Sequence, residues 1–243
     1  MVCGCLAIVN VLAGNLIIGA YLVGIAAVLD FFDGFAARLL KVSGELGKQL
    51  DSLADCITFG VVPGMVMMVM IEKSFLISDL FNPEFIPTKN LLNSLSFPSN
   101  YLSYFALLIP IFSALRLAKF NIDTRQSESF IGLPTPANSI FILSLGYISA
   151  DPATSIEIKS FILQPWILIL VTCIFSFLLI AELPLFALKF KNFKWNENKI
   201  RYLFLITSLI AVVFFKIFGL SVSILLYLIF SVINNLSSKE KKI

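Results

Sequence analysis

Asp30-Phe31-Phe32-Asp33-Gly34-Phe35-Ala36-Ala37-Arg38, followed after eight residues by Gly47-Lys48-Gln49-Leu50-Asp51-Ser52-Leu53-Ala54-Asp55, decides how this chain is read. The first string ends the apolar run Leu16–Leu29, and the second leads directly into the apolar run Cys56–Ile71. A carboxylate on a membrane helix costs on the order of 2–3 kcal/mol to insert at mid-bilayer, and less near the interface. Four of them at the adjoining ends of two apolar segments are a penalty that ordinary packing does not explain.

The rest of the chain is membrane protein in composition. Of 243 residues, 58% are hydrophobic and only 14% are charged, with a mean hydropathy of +0.94, whereas a soluble domain is about a quarter charged. A bilayer core asks for about 20 apolar residues per helix. The hydropathy pattern predicts an all-α polytopic bundle of about eight spans, near 2–13, 16–40, 50–71, 101–121, 136–150, 161–184, 201–218 and 220–235. The first span is short, which suggests a helix that begins earlier than Met1. Spans seven and eight pivot at Gly219, and Pro134 and Pro136 set the entry of span five, where a missing N–H is harmless. Segment 72–100, with Pro83, Pro87 and Pro98, reads as irregular structure. Trp166 and Trp195 read as interfacial anchors.

Lysine and arginine orient the bundle. With linker 41–49 in the cytoplasm, only Lys73, Lys89, Lys159 and Lys216 of the eighteen basic residues fall on the other side. That split obeys the positive-inside rule and the reverse orientation violates it. The four carboxylates then lie at the cytoplasmic face of the inner membrane. Lys189–Arg201 and Lys239–Lys242 read as contacts to anionic lipid.

Spacing turns the four carboxylates into a site. On a helix, Asp30 and Asp33 lie about 60° apart and Asp51 and Asp55 about 40° apart. The short linker makes the two helices antiparallel neighbours, so the four groups converge. Convergent anions need neutralising cations, and oxygen-only ligands select Mg²⁺ or Mn²⁺ over zinc. Carboxylates from two helices suit a pair of ions about 4 Å apart that clamps a diphosphate. Gly34 and Ala37, each one turn beyond an aspartate, and Gly47, one turn before Asp51, leave the helix surfaces open to a bulky ligand. Arg38 offers a planar fork to a phosphate.

Composition excludes other chemistry. The chain has no histidine, which removes Ser-His-Asp and Cys-His triads, histidine-ligated zinc and a phosphohistidine intermediate. Cys3, Cys5, Cys56 and Cys173 lie in apolar stretches and read as buried thiols. A net charge of +3 is too small to point to nucleic acid.

At every fixed position, Asp30-x-x-Asp33-Gly34-x-x-Ala37-Arg38, eight residues, Gly47-x-x-x-Asp51-x-x-x-Asp55 resembles the signature of the CDP-alcohol phosphatidyltransferase family. Ser52-Leu53-Ala54-Asp55 with Phe59-Gly60-Val61-Val62-Pro63, Leu115–Asn121, and Phe130–Ala137 resemble that family's integral-membrane branch that uses L-serine as acceptor. The resemblance covers about residues 4–140 and implies that residues 1–150 form the catalytic core, with 151–243 adding further transmembrane helices to the same membrane domain. It implies that Asp30, Asp33, Asp51 and Asp55 hold two divalent ions and that Asp55 doubles as general base. It also implies that Gly34, Ala37, Arg38 and Gly47 line a CDP pocket, with Ser43 near the linker position that some relatives use for the nucleotide. The implied reaction is transfer of the phosphatidyl group of CDP-diacylglycerol to the serine hydroxyl, with release of CMP, in a homodimer. Arg116, Lys119 and Arg125, on the same side as the acidic site, are candidates for the serine carboxylate.

Two other readings accommodate parts of this pattern. Another member of the same family would take glycerol 3-phosphate or inositol phosphate, and would want extra cations near Asp55. An ion- or proton-coupled transporter would also carry intramembrane acids, with broken helices and inverted repeats.

Overall fold

A computed structural model of the chain describes residues 1–40, 44–80, 100–122, 130–186 and 195–240. It is an all-α membrane bundle. Helices α1 (Val2–Leu12) and α2 (Leu16–Leu40) form a hairpin, turned at Gly14, whose φ of +87° an L side chain would resist. Next comes a continuous helical run: α3 (Glu45–Asp55), a π-helical turn (Cys56–Val61) and α4 (Val62–Leu80). A 3₁₀ turn (Tyr101–Leu107), capped by the Asn100 side chain accepting from Leu102 N–H at 2.9 Å, opens α5 (Leu108–Ile122). Then follow α6 (Thr135–Ala150), α7 (Ile156–Ile162), α8 (Pro165–Ile180), α9 (Trp195–Phe215) and α10 (Ile217–Glu240).

Among the described residues five helical runs are long and apolar enough to cross a membrane, and the α7–α8 pair makes a sixth if its 57° bend is taken within one span. Each of the eight expected segments is helical, but α1 (11 residues) and α6 (16 residues) are shorter than a full crossing. The expected span 161–184 is broken where Pro165 starts a new helix at its first turn. Segment 72–100 is partly corrected: α4 continues to Leu80 before the described residues stop. Pro136 falls in the first turn of α6, as its missing N–H requires. The α9–α10 break falls at Lys216 (φ +52°), three residues before the expected pivot. Trp166 and Trp195 are exposed, and Trp195 stacks on Tyr202 at 5.2 Å.

The α3–α4 run is the axis of the bundle. Two-thirds of its apolar window is buried, against less than a third in each of the other four long spans. Val62, Val66, Met67, Met70 and Ile71 are fully enclosed. On the outer helices large apolar side chains such as Phe31, Phe35, Leu209, Val213 and Phe214 face outward, which is stable only against lipid.

A short clamp pairs the segment before α6 with the segment after α8. β1 (Phe130–Ile131) pairs antiparallel with β2 (Pro184–Leu185). Gly132, at φ +78°, donates its N–H to Leu183 O (2.9 Å) and sits too close to the Leu179 carbonyl for a side chain. Tyr227 of α10 donates to Phe186 O at 3.0 Å, and one continuous core runs from Ala7 to Tyr227.

Candidate functional site

The α2 hairpin and the α3 run meet at their polar ends. Carboxylate oxygens of Asp30, Asp51 and Asp55 all lie within 4.8 Å of one another. Asp33, one turn further along α2, lines the same cavity of about 480 Å³. Its wall comes from the start of α1 (Met1, Val2, Cys3), from α2 (Ala26, Leu29) and from α3 (Gly47, Leu50, Ala54). Thr58 and Phe59 of the π turn complete it.

The packing differs from a simple antiparallel pair. α1 packs on α2, on the π turn and on α4, while α2 lies chiefly between α1 and α6. A Cβ on Gly4 would sit 2.6 Å from Thr58 Oγ1, so α1 presses directly on the π turn. The carboxylates therefore converge across a mouth that α1 helps to wall. π winding inserts one residue relative to an α-helix, turning the faces on either side by about 100°. That lets α4 aim its apolar residues into the core while α3, none of whose residues is buried, aims Asp51 and Asp55 at Asp30.

The electrostatics of this mouth demand a partner. Two unit charges 4 Å apart repel by about 4 kcal/mol at an effective dielectric of 20. Three carboxylates at this separation, with Asp30 and Asp55 partly buried, hold together only with positive charge or protons between them. The donors are all carboxylate oxygens from rigid helices, a set that fits a hard divalent cation.

The other expected site residues are distributed unevenly. Gly47 belongs to the cavity wall, whereas Gly34 is exposed on α2 outside it. Ala37 and Arg38 are placed only by the backbone of α2. Ser43 and Arg125 lie outside the described residues. Arg116 is buried at the end of α5, where its Nε donates to Leu133 O at 2.6 Å and its guanidinium stands 5.7 Å from the centre of the Phe120 ring. It does not line the cavity. Lys119 is exposed and 4.0 Å from Glu182.

Sequence reasoning missed Thr58 as part of the wall, and also the hydrogen bond from Asn121 Nδ2 to Ser52 Oγ (2.9 Å) between α5 and α3. Both asparagine and serine stand in quoted strings, but nothing local to either string says that they meet.

Residues 1–234 match the family model for CDP-alcohol phosphatidyltransferase. A Bacillus subtilis protein named CDP-diacylglycerol–serine O-phosphatidyltransferase is 31% identical over 193 residues, 79% of this chain and 85% of that protein. A Helicobacter pylori protein of the same name is 28% identical over 225 residues, 89% of this chain and 79% of its own length. One from Methanocaldococcus jannaschii is 29% identical over 122 residues, half of this chain and 47% of that protein. With a match that runs from α1 into α10 and takes in the whole acidic mouth, the chain belongs to the CDP-alcohol phosphatidyltransferase family.

Proposed function

We propose that this protein transfers the phosphatidyl group of CDP-diacylglycerol to the hydroxyl of L-serine, releasing CMP. The observation that carries the reading is the convergence of Asp30, Asp51 and Asp55 within 4.8 Å in a cavity that Asp33 also lines. The names of the relatives support the serine acceptor.

In this reading Asp30, Asp33, Asp51 and Asp55 hold two divalent cations, Mg²⁺ or Mn²⁺. Bound there, the ions supply charge neutralisation and Lewis-acid polarisation at the diphosphate. Gly47 leaves room for the CDP half, and in the same reading Gly34, Ala37, Arg38 and Ser43 contact it. Asp55 accepts the proton of the serine hydroxyl as its oxygen bonds to the β-phosphorus, and the bond from that phosphorus to the CMP oxygen breaks with its electron pair on CMP. The walls of the cavity hold the two reactants in contact, so proximity supplies much of the acceleration. With no histidine in the chain, one direct displacement replaces a phosphohistidine route.

Residues 1–150 form the catalytic core and 151–243 extend the membrane domain. The bundle sits in the inner membrane as a homodimer with the acidic mouth toward the cytoplasm, as the lysine and arginine distribution favours. The lipid's acyl chains stay in the bilayer.

The test is CMP release by the purified chain given CDP-diacylglycerol with L-serine, glycerol 3-phosphate or inositol phosphate in turn. Turnover with serine alone supports the reading, and turnover only with a phosphorylated alcohol overturns it.

A further inference from the structure

Half of the acidic mouth stands on the least enclosed helix of the bundle. α3 has no buried residue, and it packs on the π turn that continues it. A helix held at one end can swing about that end, and a swing of α3 moves Asp51 away from Asp30 before it disturbs any core residue. Something outside α3 must fix its direction if the three carboxylates are to stay within 4.8 Å.

The end of α5 provides that fixation. Asn121 Nδ2 donates to Ser52 Oγ at 2.9 Å, and Ser52 Oγ donates onward to Lys48 O at 3.2 Å. Ser52 is the residue after Asp51 and stands three before Asp55, so the bond acts on the turn that carries both carboxylates. α5 itself is firmly seated. Its Ser113 is pressed against Gly60 of the π turn, and its Arg116 is bonded to Leu133 O at 2.6 Å. The path from the rigid core to the mouth runs through α5 and Asn121.

We infer that Asn121 is a positioning residue which, through Ser52, sets the orientation of α3 and thereby the spacing of Asp51 and Asp55 from Asp30. The inference rests on the reading that these carboxylates hold divalent cations. Asn121 does not line the acidic cavity. Residues that orient metal ligands typically change metal affinity by 10–100-fold when removed.

The experiment is Mn²⁺ binding to the purified full-length chain in detergent, read from the electron paramagnetic resonance signal of free Mn²⁺, with thermal unfolding of each variant measured beside it. Asn121→Ala and Ser52→Ala should each weaken Mn²⁺ binding by roughly tenfold while the unfolding transition stays cooperative. The double variant should weaken it no further than either single change, because one link is being removed twice. Ser52→Thr, which keeps the hydroxyl, should bind Mn²⁺ like the wild type. Wild-type affinity in Asn121→Ala, or additive losses in the double variant, overturns the positioning role while leaving the cation reading intact. If the wild type itself takes up no Mn²⁺, the cation reading fails and this inference fails with it.

Discussion

Gly60 and Ser113 touch backbone to side chain: a Cβ built on Gly60 would lie 2.9 Å from Ser113 Cβ. Four residues on, a Cβ on Gly64 would lie 2.7 Å from Pro110 Cδ. The Gly60-x-x-x-Gly64 face thus lets the axial helix approach α5 at close range, a familiar solution in membranes, where dispersion contacts replace the hydrophobic drive.

Gly60→Val should push these helices apart and lower stability by about 1–3 kcal/mol, the usual range for overpacking. Gly24→Ala is the control, since nothing lies within 4 Å of a Cβ there. Thermal unfolding in detergent should show a lowered transition for the first variant, and an unchanged or slightly raised one for the second.

Glu72 is buried in α4 and accepts from Ser103 Oγ at 2.7 Å and from Asn100 N–H at 3.4 Å, which fastens the 3₁₀ turn to the axial helix. Glu72→Leu leaves Ser103 without this acceptor and should cost about 1–3 kcal/mol. Glu72→Gln, which retains an acceptor oxygen, should cost less. Turnover per folded molecule should be the same in both, because Glu72 is not part of the cavity wall.

Arg116 belongs to the packing of α5: its Nε donates to Leu133 O at 2.6 Å, and it does not line the acidic cavity. Arg116→Lys replaces the planar fork with a point charge and should lower the unfolding transition. The KM for serine of the folded fraction is expected to stay within about twofold of wild type, and a selective rise in that KM would return Arg116 to the serine site.

How much of this was legible beforehand follows from the range of the interactions. The all-α membrane bundle reads from apolar runs, and the pairing of Asp30 with Asp51 and Asp55 reads from helical spacing and a short connection, because both are local patterns. The π turn at Cys56–Val61 left no such mark; it is set by α1 and α5 pressing at Gly4–Thr58 and Gly60–Ser113, contacts between segments about 50 residues apart. The same holds for Asn121–Ser52. Among the described residues fewer than eight helices are long and apolar enough to cross, because hydropathy registers α1 and α6 as apolar without measuring how short the helices are.

The central claim is that the aspartates at the mouth act on the diphosphate of a CDP-linked lipid. Its most direct test is CMP release from CDP-diacylglycerol and L-serine by Asp55→Asn beside the wild type, each with Mn²⁺ and after chelation, with binding of CDP-diacylglycerol measured on the same samples. The account predicts that chelation abolishes wild-type turnover, and that Asp55→Asn loses about 10²–10⁴-fold in rate while still binding the lipid. Turnover that survives both chelation and the loss of the Asp55 carboxylate would contradict it.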